Sequence, residues 1–179
     1  FTIDVSDGVS TVSRTIDLAV GGLEFDATPP TSFNNTDLDG MAFADFNGDG
    51  RTDVVYVERS NKSSADLSVA VGVEDGFRIG TTYPGPKGAR GCVAPAVGDV
   101  DGDFDQDVVV LCDRGSSSHG DLHFHVWTND GSGFFSLAQS GHWKAGKAKS
   151  ADDVELADLD TDGDPDLVAV GDGTLVMAR

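Results

Sequence analysis

Three short acidic segments carry the side chains of this chain that are best suited to chemistry. We name them loop A (residues 45–53, DFNGDGRTD), loop B (99–107, DVDGDFDQD) and loop C (158–166, DLDTDGDPD). Each loop has an oxygen-bearing side chain at its positions 1, 3, 5 and 9, and each could offer a backbone carbonyl at position 7. The predicted metal ligands are Asp45, Asn47, Asp49, Arg51 (through its carbonyl) and Asp53 in loop A, Asp99, Asp101, Asp103, Asp105 and Asp107 in loop B, and Asp158, Asp160, Asp162, Asp164 and Asp166 in loop C.

This ligand set indicates calcium. Calcium is a hard cation that takes about six to eight oxygen ligands, and a loop that curls round it can supply alternate side chains. Gly50 and Gly163 at position 6 permit the sharp turn, whereas Phe104 at the same position of loop B predicts a strained turn or a weaker site. The alternative is an acidic turn without metal, but carboxylates crowded together repel one another. We therefore expect about three bound calcium ions as the cofactor.

The residue at position 12, counted from the start of each loop, excludes an EF-hand. An EF-hand needs a bidentate Glu at position 12 and flanking helices. Position 12 is Tyr56, Val110 or Ala169, and each loop is followed by a short apolar run rich in valine. Such runs predict strands, so the loops should join strand to strand.

An apolar segment, the pattern D-x-[DN]-x-D-G-x-x-D and a second apolar run together resemble the FG-GAP and VCBS repeats. The resemblance covers roughly residues 41–179. It implies an all-β fold made of calcium-binding β-propeller blades, as in the heads of integrin α-subunits. It further implies a structural or adhesive role at a cell surface rather than an enzyme.

The order of predicted strands gives the domain organisation. Each complete repeat should form a four-stranded blade, and the last repeat is incomplete. Because a closed propeller typically needs about four to eight blades, we expect other protein chains, or the rest of a longer polypeptide, to complete the ring. The hairpin that precedes the repeats resembles the end of an immunoglobulin-like or cadherin-like module, and the alternative is an extra hairpin of the propeller. The predicted segments are 1–22 (hairpin), 23–40 (linker), and the repeats 41–90, 91–150 and 151–179.

Composition limits the partners and the compartment. The formal charge of −19 argues against nucleic acid and anionic membranes as partners. No apolar run reaches the length of about 18 residues expected of a membrane-inserted helix. Asn34 and Asn61 lie in N-glycosylation sequons, and together with calcium loops they favour an extracellular, secreted setting. The chain starts at Phe1 rather than Met, so we expect a processed or partial polypeptide.

The two cysteines are expected to pair. If Ala96 lies opposite Val108 across loop B, the same register places Cys92 opposite Cys112, and a cross-strand disulfide becomes geometrically reasonable. The alternative is two buried free thiols. A disulfide would agree with an oxidising compartment.

The residues outside the loops give weaker signals. His123, His125 and Trp127 share one strand face, which could form a transition-metal or sugar site, but no Cys or third His lies close in sequence. The simpler interpretation is a solvated or inter-blade face. Trp127 and Trp143 could stack on sugars, although such residues more often pack between blades. We therefore keep two alternatives, a lectin-like propeller that binds glycans and a non-catalytic scaffold part of a secreted polysaccharide-degrading enzyme. We expect no catalytic residues in the chain.

Overall fold

The computed structural model describes residues 2–6, 11–15, 37–60, 64–113, 121–144 and 150–178. Every regular element among them is a β-strand, which confirms the all-β prediction. The described residues contain no helix of the length and apolar character needed to span a bilayer. The strands are β1 (Thr2–Ser6), β2 (Thr11–Thr15), β3 (Asp37–Ala44), β4 (Asp53–Ser60), β5 (Ser64–Val73), β6 (Gly76–Tyr83), β7 (Arg90–Cys92), β8 (Ala96–Gly98), β9 (Asp107–Asp113), β10 (Asp121–Asn129), β11 (Phe135–Lys144), β12 (Asp153–Ala157), β13 (Asp166–Gly171) and β14 (Thr174–Ala178).

The chain divides into two compact units, Phe1–Ser32 and Phe33–Arg179. In the first unit β1 and β2 pair antiparallel, with Thr2 opposite Thr15. The immunoglobulin-like or cadherin-like origin of this hairpin stays a prediction. The division between the units falls within the segment 23–40 that the sequence predicts as a linker.

The first blade is an antiparallel meander in the order β3-β4-β5-β6. Its first strand starts at Asp37, and Leu38 lies opposite Glu58 in the ladder with β4. The predicted linker 23–40 is therefore wrong at its end, since residues 37–40 belong to the blade. The sequence signal failed because backbone pairing with β4 holds this segment, and that pairing needs no apolar run.

The second blade has the order β11-β10-β9-β7, and β8 also pairs with β9. The strand before loop B is thus broken in two. Ala96 lies opposite Val109, so the predicted pairing of Ala96 with Val108 is wrong by one residue. The shift is absorbed before β8, because Cys92 still lies opposite Cys112. The predicted disulfide between these two cysteines is present.

The third blade is a three-stranded antiparallel sheet in the order β12-β13-β14. The three sheets of the second unit form propeller-like blades that do not close into a ring. Blades one and two share one hydrophobic core, and blades two and three share another.

Strand β9 lies between these two cores. Val110 belongs to the core shared with the first blade, and Leu111 belongs to the core shared with the third. Residues 108–112 are all almost fully buried. This explains why β9 is a continuous apolar run rather than an alternating one, because both of its faces are covered.

The outer face of the first blade is exposed along its edge strands. Met41 lies opposite Tyr56, and Phe43 lies opposite Val54, so the side chains of each pair share this face. Phe43 is 57% exposed, and Met41 and Ile79 are similarly exposed. On the same face, Val54, Tyr56 and Ala70 of the two central strands are buried. The apolar surface that stays exposed therefore lies on the edge strands β3 and β6, on the side away from the second blade, and we call it the open face.

Candidate metal centres

Each acidic loop joins the first strand of a blade to its second strand. Loop A follows β3, loop B follows β8 and loop C follows β12. All three loops therefore occupy the same place in their blades, as the repeated spacing predicts. The next strand of each blade begins at position 9 of its loop.

The backbone of the three loops has the same shape. Positions 4 and 6 adopt positive φ angles in every loop, which supports the predicted turn at position 6 and adds a second one at position 4. Glycine tolerates this conformation, whereas a side chain destabilises it. The residues are Gly48 (70°) and Gly50 (82°) in loop A, Gly102 (81°) and Phe104 (71°) in loop B, and Thr161 (63°) and Gly163 (99°) in loop C. Loops B and C thus each place one non-glycine residue in a left-handed conformation.

The carboxylate at position 1 organises the interior of each loop. One of its oxygens accepts a hydrogen bond from the backbone N–H of position 6, at 2.7 Å in loop A, 2.9 Å in loop B and 3.1 Å in loop C. Its other oxygen accepts a backbone N–H from position 4 or 5. The backbone of each loop therefore curls round the position 1 carboxylate through hydrogen bonds that need no bound ion.

The carboxylate at position 9 fastens the loop to its blade. Asp53, Asp107 and Asp166 are all buried. Each accepts the backbone N–H of position 2, at 3.2, 2.8 and 3.0 Å respectively. In loops A and B the second oxygen accepts an N–H from the end of the blade's third strand, Gly72 at 2.7 Å or Asn129 at 2.9 Å.

The position 5 carboxylates make a different contact. Each accepts the backbone N–H of position 7, at 2.9 Å in loop A and 3.0 Å in loops B and C. In loop A, Asp49 also forms an ion pair with Arg51, whose Nε donates to the carbonyl of Gly72 at 2.9 Å. A guanidinium thus already neutralises one carboxylate of loop A.

Loops B and C bring carboxylates together. Oxygens of the carboxylates at positions 1, 3 and 9 lie within 4.8 Å of one another in both loops. Two oxygens bound to one calcium ion at about 2.3–2.6 Å can be up to roughly 5 Å apart, so these groups fit such an ion. Neither position 5 carboxylate belongs to these groups. In loop A position 3 is the amide Asn47, and no such group is found there among the described residues. The assignment of all these residues as ligands stays a prediction.

The electrostatics of loops B and C favour a cation. Desolvation, followed by the neighbouring Asp103, raises the pKa of Asp101. The pKa of Asp160 is raised in the same way, by desolvation and then by Asp162 and other carboxylates of loop C. Burial also raises the pKa of Asp107 against the effect of its two backbone hydrogen bonds. A bound cation would offset this repulsion.

A turn of the second blade connects loops A and B. Asn129 donates from Nδ2 to the carbonyl of Phe46 in loop A at 2.8 Å, and its backbone N–H donates to Asp107 in loop B. Its Oδ1 accepts the N–H of Gly133 at 3.1 Å. Sequence patterns did not predict this contact, because its partner in loop A lies 83 residues away along the chain.

The described strands also bring three histidines together. His142 of β11 lies directly opposite His123 of β10, and His125 is the next residue on the same face. His142 was not predicted as a member of this group, because it lies far from His123 and His125 in the sequence. Its pairing with His123 depends on a register shift in the hairpin between Val126 and Trp127.

The two tryptophans lie in different environments. Trp127 is buried and packs against Tyr83 in the core between blades one and two, with ring centroids 6.1 Å apart. Its predicted alternative role in sugar stacking is therefore wrong, and its inter-blade role is confirmed. Trp143 lines a cavity of about 270 Å³ between blades two and three. Asn34 and Asn61, the predicted glycosylation sites, lie outside the described residues.

Comparison with known protein families supports the resemblance seen in the sequence. The profile of the FG-GAP-like repeat matches residues 45–110 and again residues 99–169, which together span more than half of the chain. Each match starts at position 1 of an acidic loop, covers the whole of the next acidic loop and ends in the strand that follows it. A comparison with curated proteins found no match. Repeated loops, antiparallel blades and matching profiles together show that the chain belongs to the FG-GAP-like repeat family.

Proposed function

We propose that this chain is an extracellular, non-catalytic module in which calcium ions in loops A, B and C hold β-propeller blades in shape for protein–protein assembly or cell-surface adhesion. The observation that supports it most directly is the convergence of three carboxylates in loop B and three in loop C. Family membership supports the structural role, because FG-GAP repeats generally serve as structural or adhesion modules.

The donor set favours calcium over transition metals. Every predicted ligand in the three loops is a carboxylate, an amide or a backbone carbonyl, and none is His or Cys. Hard oxygen ligands in a flexible loop suit calcium, whereas zinc is generally held by nitrogen and sulfur. Loop A, rather than loop B with its Phe104, should be the weakest site, because Arg51 already pairs with Asp49 and no three carboxylates converge among the described residues of loop A.

Calcium would act on stability through the junction between two strands. An ion bound at positions 1, 3 and 9 joins the start of the loop to the first residue of the next strand. At roughly millimolar calcium and a Kd near 10⁻⁴ M, binding to the folded state alone contributes about 1.4 kcal/mol per site. Two or three such sites would be a substantial part of the stability of one domain.

The open face of the first blade supports a partner that completes the array. The opposite face of the same blade is buried in the core shared with the second blade. Met41, Phe43 and Ile79 on the open face are exposed, and large exposed apolar patches mark interaction sites. We propose that a further blade, from the rest of a longer polypeptide or from another chain, packs there.

A glycan-binding function is a second candidate, supported by the cavity between blades two and three. Trp143 and Gln139 contribute an aromatic surface and an amide to its lining. Most of the remaining lining is aliphatic, which suits sugar hydroxyls less well. Loss of glycan-array binding in Trp143→Ala would support this candidate, and an array without any binding would exclude it.

Calcium titration of the chain tests the main proposal. We expect the melting temperature, followed by far-UV circular dichroism, to fall by many degrees when EDTA replaces millimolar calcium, and to recover with calcium but not with magnesium. The variant Asp101→Asn should weaken calcium binding measured by calorimetry. The matched control Asp75→Asn removes an exposed carboxylate from the turn between β5 and β6 and should leave binding unchanged. Equal melts with calcium and EDTA would refute the proposal.

A further inference from the structure

The hairpin of the second blade places three imidazole rings in contact range. His123 and His142 are paired across β10 and β11, and their ring centroids lie 4.2 Å apart in an edge-to-face arrangement. His125 follows on the same strand, with its ring centroid 6.4 Å from that of His123. The set runs from the exposed His142 through the half-buried His123 to the buried His125. We call it the histidine cluster.

His125 is the least expected member of the cluster. Its side chain is only 2% exposed, and neither of its ring nitrogens has a hydrogen-bond partner. Buried polar groups are nearly always paired, because an unpaired one costs about 1–3 kcal/mol. A buried imidazole without a hydrogen bond therefore calls for another partner, and a metal ion is one such partner, because His is the commonest metal ligand in proteins.

Two of the ring spacings lie on either side of the value expected for a shared ion. A ring bound to zinc through one nitrogen at about 2.0–2.1 Å has its centroid roughly 3 Å from the ion, so two rings on a tetrahedral ion lie roughly 5 Å apart. The observed separations of 4.2 Å and 6.4 Å lie on either side of that value. As the rings stand, the three residues do not bring one nitrogen each within 4.8 Å of one another. Ligation therefore needs rotation of the rings, which the exposed position of His142 permits for that residue.

We propose that His123, His125 and His142 form a site for a divalent transition-metal ion of the zinc or copper type. Imidazole is a preferred ligand of these ions, whereas the oxygen ligands of loops A to C suit calcium. The nearest cysteine on this face, Cys112, is tied into the disulfide and offers no thiolate. Three imidazoles leave a coordination position for water or for a group from outside the chain. This site goes beyond the proposed function and does not depend on it.

Metal titration of the whole chain in excess calcium tests the site. Zinc binding is measured by calorimetry, and copper binding by electron paramagnetic resonance, where nitrogen hyperfine structure separates imidazole from carboxylate ligands. We expect one equivalent of zinc and a nitrogen signature from copper. His142→Gln should weaken zinc binding at least tenfold, and His123→Gln should do the same. The matched control is His119→Gln, which removes the one remaining histidine of the chain and should leave the affinity unchanged.

His142 is exposed, so its substitution should leave the fold intact, and equal thermal melts in calcium would verify this. Absence of zinc binding, or a copper spectrum without nitrogen structure, would overturn the proposal. The same holds if His142→Gln binds zinc as tightly as the unaltered chain, or if His119→Gln weakens binding as much as His142→Gln does.

Discussion

Substitution of Asn129 by Ala should destabilise the chain more than any exposed change in the same turn. The side chain is buried and makes two hydrogen bonds, to the carbonyl of Phe46 at 2.8 Å and from the N–H of Gly133 at 3.1 Å. Alanine removes both and leaves two backbone groups unpaired in a largely buried place. Each such group costs about 1–3 kcal/mol, so we expect a loss of roughly 2–4 kcal/mol in the free energy of unfolding.

Urea denaturation in calcium, followed by circular dichroism, measures this loss. The control is Ser132→Ala, which removes a hydroxyl that bonds Asp130 on the exposed side of the same turn and should cost less than about 0.5 kcal/mol. Because the side chain of Asn129 contacts loop A, the substitution should also weaken calcium binding at that loop. Its backbone N–H still donates to Asp107, so calcium binding at loop B should change less. If the two variants unfold at the same urea concentration, the side-chain hydrogen bonds of Asn129 do not contribute to the free energy of unfolding and the reasoning is wrong.

Three further predictions concern other parts of the second blade. Phe104 is 91% exposed with φ of 71°, so Phe104→Gly should raise stability by roughly 0.5–1 kcal/mol in the same denaturation assay. Reduction of the Cys92–Cys112 disulfide, which closes a segment with a sequence separation of 20, should lower the free energy of unfolding by about 3 kcal/mol, and Cys92→Ser should show the same loss without reductant. Burial, and then the neighbouring His123, lower the pKa of His125 from 6.5 to about 4. Between these two pKa values His125 is protonated in the unfolded chain but neutral in the folded chain. The free energy of unfolding should therefore fall by roughly 2–3 kcal/mol as the pH drops from 6.5 towards 4. His125→Phe should flatten this pH dependence in thermal melts across the same range.

Sequence spacing predicted the acidic loops well because their chemistry is local. The contacts of position 1 all lie within nine residues of chain, so a single segment contains the whole pattern. The same holds for the strands after each loop, whose valine-rich runs are covered on one or both faces. The glycine requirement at position 4 was missed because Thr161 occupies it in loop C, which hides the repeat.

Features that depend on pairing between distant segments could not be predicted. The register of Ala96 was wrong by one residue because β7 and β8 form a broken strand. Pro95, which lies in the break and cannot donate to the ladder, marks the interruption but not the size of the register shift. The histidine cluster needs the register of the β10–β11 hairpin, and the contact of Asn129 with loop A needs the packing of two blades. These properties come from tertiary structure, which single-residue patterns do not contain.

The position of β9 between two cores has a consequence for how the array opens. The first and third blades each share a core with the second blade, so either can detach without exposing both faces of β9. In such a linear array stability is close to a sum of units and nearest-neighbour interfaces, and opening starts at the ends. The amide protons of residues 108–112 should consequently exchange with deuterium last, after those of β3 and β14. We therefore expect the second blade to be the last of the three to open.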